Sequence, residues 1–131
     1  MAARIITVAQ QKGGAGKTTL AANLAVAWIE RNRRVALVDI DPQGSLGEWY
    51  RLRREALGAD DAGLTQASVT GWRAAAEVER LARTHEVVVI DSPPRAETET
   101  RIAIRAASLV VIPVQPSPLD LWATRPTLDL A

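Results

Sequence analysis

The segment QKGGAGKTT, residues 11–19, combines glycines, lysines and threonines at a spacing suited to binding phosphate. The common phosphate-binding loop has the pattern G-x-x-x-x-G-K-[ST]. The run Gly16-Lys17-Thr18 matches the end of that pattern. Its first glycine, however, falls on Gln11, and a second lysine, Lys12, stands beside that position. The segment therefore predicts a phosphate-binding loop of unusual design.

The residue types of this loop each have a physical reason to be there. Glycines at positions 13, 14 and 16 let the backbone approach a phosphate and turn its N–H groups toward it, next to a helix N-terminus. We expect Lys17 to reach the β- and γ-phosphates, Thr18 to bind Mg²⁺ through its hydroxyl, and Thr19 to bond a further phosphate oxygen. The alternative is a glycine-containing turn that binds nothing, which the Lys-Thr-Thr run disfavours.

Two further segments deliver carboxylates from the ends of apolar runs. Asp39 and Asp41 lie in DIDPQGS, and Asp91 ends EVVVID. Carboxylates beyond the C-terminal ends of parallel strands face the crevice where ligands bind, and there they hold a metal or orient water. We expect Asp91 to serve as the Walker B ligand of Mg²⁺. The alternatives are that residues 41–44 form a simple turn and that Asp91 caps a helix or lies in a turn.

These side chains require strands that end beside one another. Apolar, β-branched runs without alternation are typical of strands buried on both faces of a parallel sheet. Such runs occupy Ile5–Ala9, Val35–Val38, Val87–Ile90 and Leu109–Val114, with Leu64–Val69 as a further candidate strand. Helical spacing between them predicts helices over 18–31, 71–83 and 97–107, and a last one beginning near Asp120. The alternation predicts an α/β fold, a doubly wound, mostly parallel sheet with helices on both faces.

Composition excludes several classes of protein. The chain has 131 residues, no cysteine, one histidine and a net charge of +1. Disulfide frameworks, Cys-ligated zinc and iron–sulfur clusters are therefore excluded. The balanced charge does not indicate nucleic-acid binding by itself. Because the apolar runs are short and the N-terminus lacks a signal-peptide pattern, we expect a cytoplasmic protein without a membrane partner.

The three motifs together resemble those of the deviant-Walker-A ATPases of the ParA/MinD family. KGGAGKTT, DIDPQGS and VVVIDSPP stand in the family's order and at about its spacing. The later segment LVVIPVQPSPLDLWAT is most similar to the small ParA-type partition proteins.

The resemblance implies a Mg²⁺-dependent ATPase, slow and partner-stimulated, that forms a sandwich dimer when ATP is bound. Lys12 is then the signature lysine that reaches the partner subunit's phosphates, Lys17 is the ordinary loop lysine, and Asp41 helps to activate or orient water. These three are the expected catalytic residues, while Thr18, Asp39 and Asp91 support Mg²⁺. The nucleotide would contact Lys12, Gly13, Gly14, Ala15, Gly16, Lys17, Thr18 and Thr19.

The resemblance also sets expectations about partners and extent. The family acts in plasmid or chromosome partition or in cargo positioning, with a ParB-like stimulating partner, and with non-specific DNA and the nucleoid as candidate associations. Its members usually continue for several tens of residues further. We therefore expect residues 1–131 to form a single P-loop ATPase domain that is incomplete at its C-terminal end.

Two other functions stay open at this point. One is a non-hydrolysing nucleotide-binding or interaction module. The other is a synthetase or ligase of the same superfamily, of the dethiobiotin or cobyrinate type, although the DPQ and PVQPSPLD segments favour ParA.

Overall fold

The computed structural model describes residues 3–9, 17–41, 44–57, 64–69, 71–92, 97–113, 125 and 127–130. The strands are β1 (Arg4–Val8), β2 (Val35–Asp39), β3 (Leu64–Ser68), β4 (Val87–Asp91) and β5 (Leu109–Val111). The helices are α1 (Lys17–Glu30), α2 (Ser45–Leu57), α3 (Ala74–Ala82), which follows the 3₁₀ turn Gly71–Arg73, and α4 (Glu97–Ala106). Residues 127–130 are also helical, and the predicted start of that helix near Asp120 lies outside the described residues.

The strands form one sheet in the order β3-β2-β4-β1-β5, and every neighbouring pair is parallel. The chain moves outward from β1 to β2 and β3, returns to place β4 between β1 and β2, and crosses to β5. The connections that leave the neighbouring strands β1 and β4 therefore run in opposite directions across the sheet, and open α/β sheets bind ligands at such a switch point. The predicted doubly wound sheet is confirmed.

Two apolar layers cover the sheet. On one face, α1 and α2 pack their buried side chains, among them Ala21, Ala25 and Leu46, on one set of strand residues. On the other face, Val78 and Leu81 of α3 pack with α4 on the alternate strand residues. Because both faces are covered, β2 and β4 are buried at every position. This explains why their sequences are continuously apolar.

The strand β5 differs from its prediction. We expected a strand over Leu109–Val114 that is buried on both faces, but the strand ends at Val111, and Leu109 is exposed. The physical reason is its place at the end of the sheet, where β1 is its one neighbour among the strands that the structure describes.

Helix α2 was not predicted from the sequence. Its surface is charged, with Arg51 paired to Glu48 and Glu55, and Leu46 is its one fully buried residue. Helix α3 was predicted from residue 71, but residues 71–73 form a 3₁₀ turn before the α-helix begins.

Helix α1 ends at Glu30, and two residues later Asn32 adopts the left-handed conformation, with a φ of 61°. The Arg33 N–H donates to the Trp28 carbonyl at 3.1 Å, and the Asn32 N–H donates to the Ile29 carbonyl at 2.9 Å. This pair of bonds is the Schellman motif, which satisfies carbonyls that the last helical turn leaves open. It directs the chain from α1 into β2.

Candidate functional site

The C-terminal ends of β1, β4 and β2 bring the candidate site together. In the sheet register, Asp91 is level with Val8 on one side and with Asp39 on the other. Beyond the ladder, Ser92 donates both its N–H, at 3.3 Å, and its hydroxyl, at 3.0 Å, to the Val8 carbonyl. Two buried carboxylates are thus held on adjacent strands beside β1, which precedes the predicted phosphate-binding loop.

The first turn of α1 binds directly to Asp91. The Lys17 ammonium lies 2.8 Å from Asp91 Oδ1, and the Thr18 hydroxyl donates to Asp91 Oδ2 at 2.7 Å. The Lys17 side chain is 8% exposed and the Asp91 side chain 0%. A buried charge needs a partner, and each of these two supplies it for the other. Lysine, threonine and aspartate of the predicted phosphate and metal site therefore form one cluster.

Asp39 is fixed by backbone N–H groups. Its Oδ1 accepts a hydrogen bond from the Asp41 N–H at 3.0 Å, and its Oδ2 accepts one from the Leu46 N–H at 3.1 Å. Burial raises the pKa of the Asp39 carboxyl, and the charge of Asp91 adds to that rise. The N–H bonds from Asp41, Gly47 and Leu46 act in the opposite direction. The ionised carboxylate is therefore costly here and is stabilised by its own loop.

Asp41 lies at the rim of the same crevice. It follows β2 by two residues and is half-buried, less enclosed than Asp39 or Asp91. The Gly44 N–H donates to the Asp41 carbonyl at 3.0 Å, which is the bond of a four-residue turn. This hydrogen bond between residues 41 and 44 is the one expected of the turn that we considered as an alternative.

The donor set of this cluster fits Mg²⁺. Mg²⁺ prefers hard oxygen ligands and is held by one or two protein groups, with water and substrate phosphates completing its shell. Thr18 offers a hydroxyl and Asp91 a carboxylate on the same side of the crevice. Two buried carboxylates, Asp39 and Asp91, stand near one buried ammonium, Lys17, so a divalent cation would offset an excess of negative charge. Within the described residues no group of three or more His, Cys, Asp or Glu side chains could hold a metal.

The predicted residues divide into those placed and those outside the described part of the chain. The structure brings together Lys17, Thr18, Asp39 and Asp91, with Asp41 beside them. Thr19 is exposed on α1. The predicted loop residues Lys12, Gly13, Gly14, Ala15 and Gly16 lie outside the described residues.

Two contacts of this site were missed in the sequence. The Leu46 N–H, which donates to Asp39, belongs to a helix that the charged sequence did not reveal. The Ser92 hydroxyl donates to the Val8 carbonyl and so joins β4 to the end of β1. The available signal was a serine directly after Asp91. None of the helices in the described ranges has the length and apolar character needed to cross a bilayer.

Comparison with known proteins agrees with this geometry. The family model of the CobQ/CobB/MinD/ParA nucleotide binding domain (CbiA) matches residues 6–110. The chain is 40% identical over 119 residues to maintenance of carboxysome distribution protein A of Gloeobacter kilaueensis, covering 90% of this chain and 52% of the relative. It is 33% identical over 147 residues to chromosome partitioning protein ParA of Myxococcus xanthus, covering 86% of this chain and 52% of the relative.

A solved structure shows the same fold. Cobyrinic acid a,c-diamide synthase from Mycobacterium smegmatis, with bound ADP and magnesium, aligns with a TM-score of 0.79 and 27% identity. The alignment covers 98% of this chain and 66% of the synthase. The chain therefore belongs to the CobQ/CobB/MinD/ParA family of nucleotide-binding domains, which confirms the resemblance drawn from its motifs. It spans about half the length of the two curated relatives.

Proposed function

We propose that this protein is a Mg²⁺-dependent ATPase of the ParA type, a switch that dimerises on binding ATP and acts in plasmid or chromosome partition or in the positioning of another cargo. The observation that carries the proposal is the single cluster in which Asp91 receives both the Lys17 ammonium and the Thr18 hydroxyl. Those are the groups that a P-loop ATPase uses for the phosphates and for the metal.

Each side chain then has a defined task. The loop N–H groups of residues 13–16 bind the phosphates, and Lys17 exchanges Asp91 for the β- and γ-phosphate oxygens. Thr18 and Asp91 hold Mg²⁺, which when bound neutralises charge that develops on the phosphates. Asp41 orients the attacking water from the rim of the crevice. Since Lys17 and Asp91 already neutralise each other, the buried site stays stable before the nucleotide arrives.

The proposed dimer depends on Lys12. Two ATP molecules that face each other concentrate negative charge, and a lysine from each subunit that reaches the partner's phosphates offsets it. In this proposal, ATP binding closes the dimer and hydrolysis opens it. A ParB-like protein stimulates turnover, non-specific DNA is a second ligand, and the protein acts in the cytoplasm at the nucleoid.

Phosphate release and oligomeric state test the proposal. We expect the full chain to release phosphate from ATP slowly and to elute as a dimer with a non-hydrolysable ATP analogue and Mg²⁺. Lys17→Ala abolishes release, and Lys12→Ala weakens dimerisation while nucleotide binding persists. Arg31→Ala, an exposed cation at the far end of α1, serves as the control. A Lys12→Ala protein that dimerises and hydrolyses ATP like the parent would refute the contact between subunits.

The same assays separate the two alternatives. Nucleotide binding without phosphate release, with or without DNA, indicates a non-hydrolysing module. The 27% identity with a diamide synthase favours testing a ligase activity as the second candidate. ATP consumption that depends on an added carboxylic acid substrate supports it, and consumption that is independent of such an acid supports the switch.

A further inference from the structure

The carboxylate of Asp39 bonds to both ends of the segment that carries Asp41. Its Oδ1 receives the Asp41 N–H, and its Oδ2 receives the Leu46 N–H in the first turn of α2. Between these points the Gly44 N–H closes a turn on the Asp41 carbonyl. Gly44 itself has a φ of 71°, a conformation that favours glycine. One side chain therefore bonds to the backbone at residue 41 and again at residue 46.

Asp91 uses its carboxylate differently. Its two oxygens receive side-chain donors from α1, Lys17 and Thr18, which are the groups that turn to the nucleotide. Both oxygens of Asp39 receive backbone donors, the N–H groups of Asp41 and Leu46. The two buried carboxylates are level in the sheet, yet one faces the phosphate site and the other holds a loop.

We infer that Asp39 is a positioning residue, which acts through Asp41, and that it is not a ligand of the metal. This inference rests on the proposed function, because Asp41 is the residue that orients the attacking water there. It also revises the expectation that Asp39 supports Mg²⁺. An error of about 1 Å in the placement of a reacting group can lower a rate by about 100-fold. A residue that holds the Asp41 backbone is therefore needed for rate and is not needed for binding.

The two substitutions at this position separate the contacts. Asp39→Asn keeps one acceptor oxygen and turns an amide NH₂ toward a backbone N–H, so one of the two loop bonds is lost. Asp39→Ala loses both. Asp91→Asn is the matched control, because it alters a carboxylate of equal burial that faces the metal site.

The first measurement does not need turnover. Amide hydrogen exchange on the nucleotide-free protein is followed at Asp41 and Leu46. Relative to the slowest core amides of the same variant, we expect exchange at both amides to accelerate by about tenfold or more in Asp39→Ala, the size expected for a lost hydrogen bond to a charged group, and to stay unchanged in Asp91→Asn. Unchanged exchange at Asp41 and Leu46 in Asp39→Ala would overturn the inference.

The second measurement separates positioning from metal binding. We expect Asp39→Asn to lower kcat by about 10- to 100-fold. The KM for ATP and the Mg²⁺ concentration that half-saturates nucleotide binding should stay within about twofold, as expected when the lost interaction acts in the transition state alone. Asp91→Asn should raise that Mg²⁺ concentration. An equal rise in Asp39→Asn would assign Asp39 to the metal and overturn the inference.

The outcomes also distinguish this inference from the proposed function. A wild-type protein that binds nucleotide without hydrolysing it would contradict the proposed ATPase activity. Amide exchange and the Mg²⁺ titration of nucleotide binding would still decide the role of Asp39. If Asp39→Ala does not fold, the same two measurements on Asp39→Asn decide it.

Discussion

Substitutions at Lys17 and Asp91 are expected to have strongly non-additive effects on the free energy of unfolding of the nucleotide-free protein. The substitutions are Lys17→Met, which removes the charge and keeps an apolar stem, and Asp91→Asn, which keeps the shape of the side chain. Each leaves one charge almost fully enclosed, since the side chains are 8% and 0% exposed. Removing one partner of such a pair costs about 3 to 5 kcal/mol.

The double variant has no charge left to enclose. Its loss is expected to be about 3 kcal/mol, well below the sum of about 6 to 10 kcal/mol for the two single variants, so the coupling energy is about 3 to 7 kcal/mol. Stability in the range of about 5 to 15 kcal/mol lets the single variants be measured. Urea denaturation of all four proteins, with a chelator and without nucleotide, gives the coupling directly.

An exposed pair provides the control. Arg33 and Glu86 approach to 2.9 Å, a distance close to the 2.8 Å of the buried pair, but their side chains are 52% and 39% exposed. The cycle of Arg33→Met and Glu86→Gln should show a much smaller coupling. Additivity within about 0.5 kcal/mol for Lys17 and Asp91 would refute the reasoning that the two charges stabilise each other.

Three further predictions concern the scaffold. Asn32→Ala should lower the free energy of unfolding by about 1 kcal/mol, because an alanine at positive φ is strained, whereas Asn32→Gly should not lower it. Equal melting temperatures for the two variants would contradict this prediction. Leu81→Ala should cost about 2 to 5 kcal/mol in urea denaturation by opening a cavity under α3, whereas the exposed Arg83→Ala should change little. The hydrogen bond from Arg33 lowers the pKa of Glu86 from its ordinary 4.5, so this contact stabilises the fold above that pH and is lost below it. The difference in melting temperature between the parent and Glu86→Gln should therefore shrink as the pH falls below 4.5, and a difference that grows on acidification would contradict this prediction.

The central strands and their terminal carboxylates could be predicted because burial on both faces leaves a clear pattern. A parallel strand covered by helices on both sides is apolar at every position, so β2 and β4 stand out, and the first charged residue after each run marks its end. Asp39 and Asp91 were found in this way. The phosphate-binding loop stays a prediction, since residues 10–16 lie outside the described residues. Its glycines and lysines stand out in the sequence because a ligand, and not the core, would determine them.

Helix α2 could not be predicted, because its sequence shows little helical periodicity of apolar residues and the contact that stabilises its start comes from an earlier strand. Its one fully buried residue is Leu46, and Gly47 together with the turn before it indicates a loop. The contact that fixes its start is a carboxylate seven residues earlier, on a strand. Likewise the Lys17–Asp91 pair joins residues 74 positions apart, so only the strand order brings its members together.

Because the ammonium of Lys17 is enclosed, its reactivity toward amine reagents should report the state of the site. Lys12 and Lys17 are the side-chain amines of this chain, since its other basic residues are arginines and one histidine. A reagent that acylates amines therefore modifies the two lysines of the predicted loop and the N-terminal amine. Peptide mass spectrometry can follow Lys17 separately. Its labelling should be slow while Asp91 holds the ammonium and should change when phosphates take the place of Asp91, so the state of the site can be read without introducing a label.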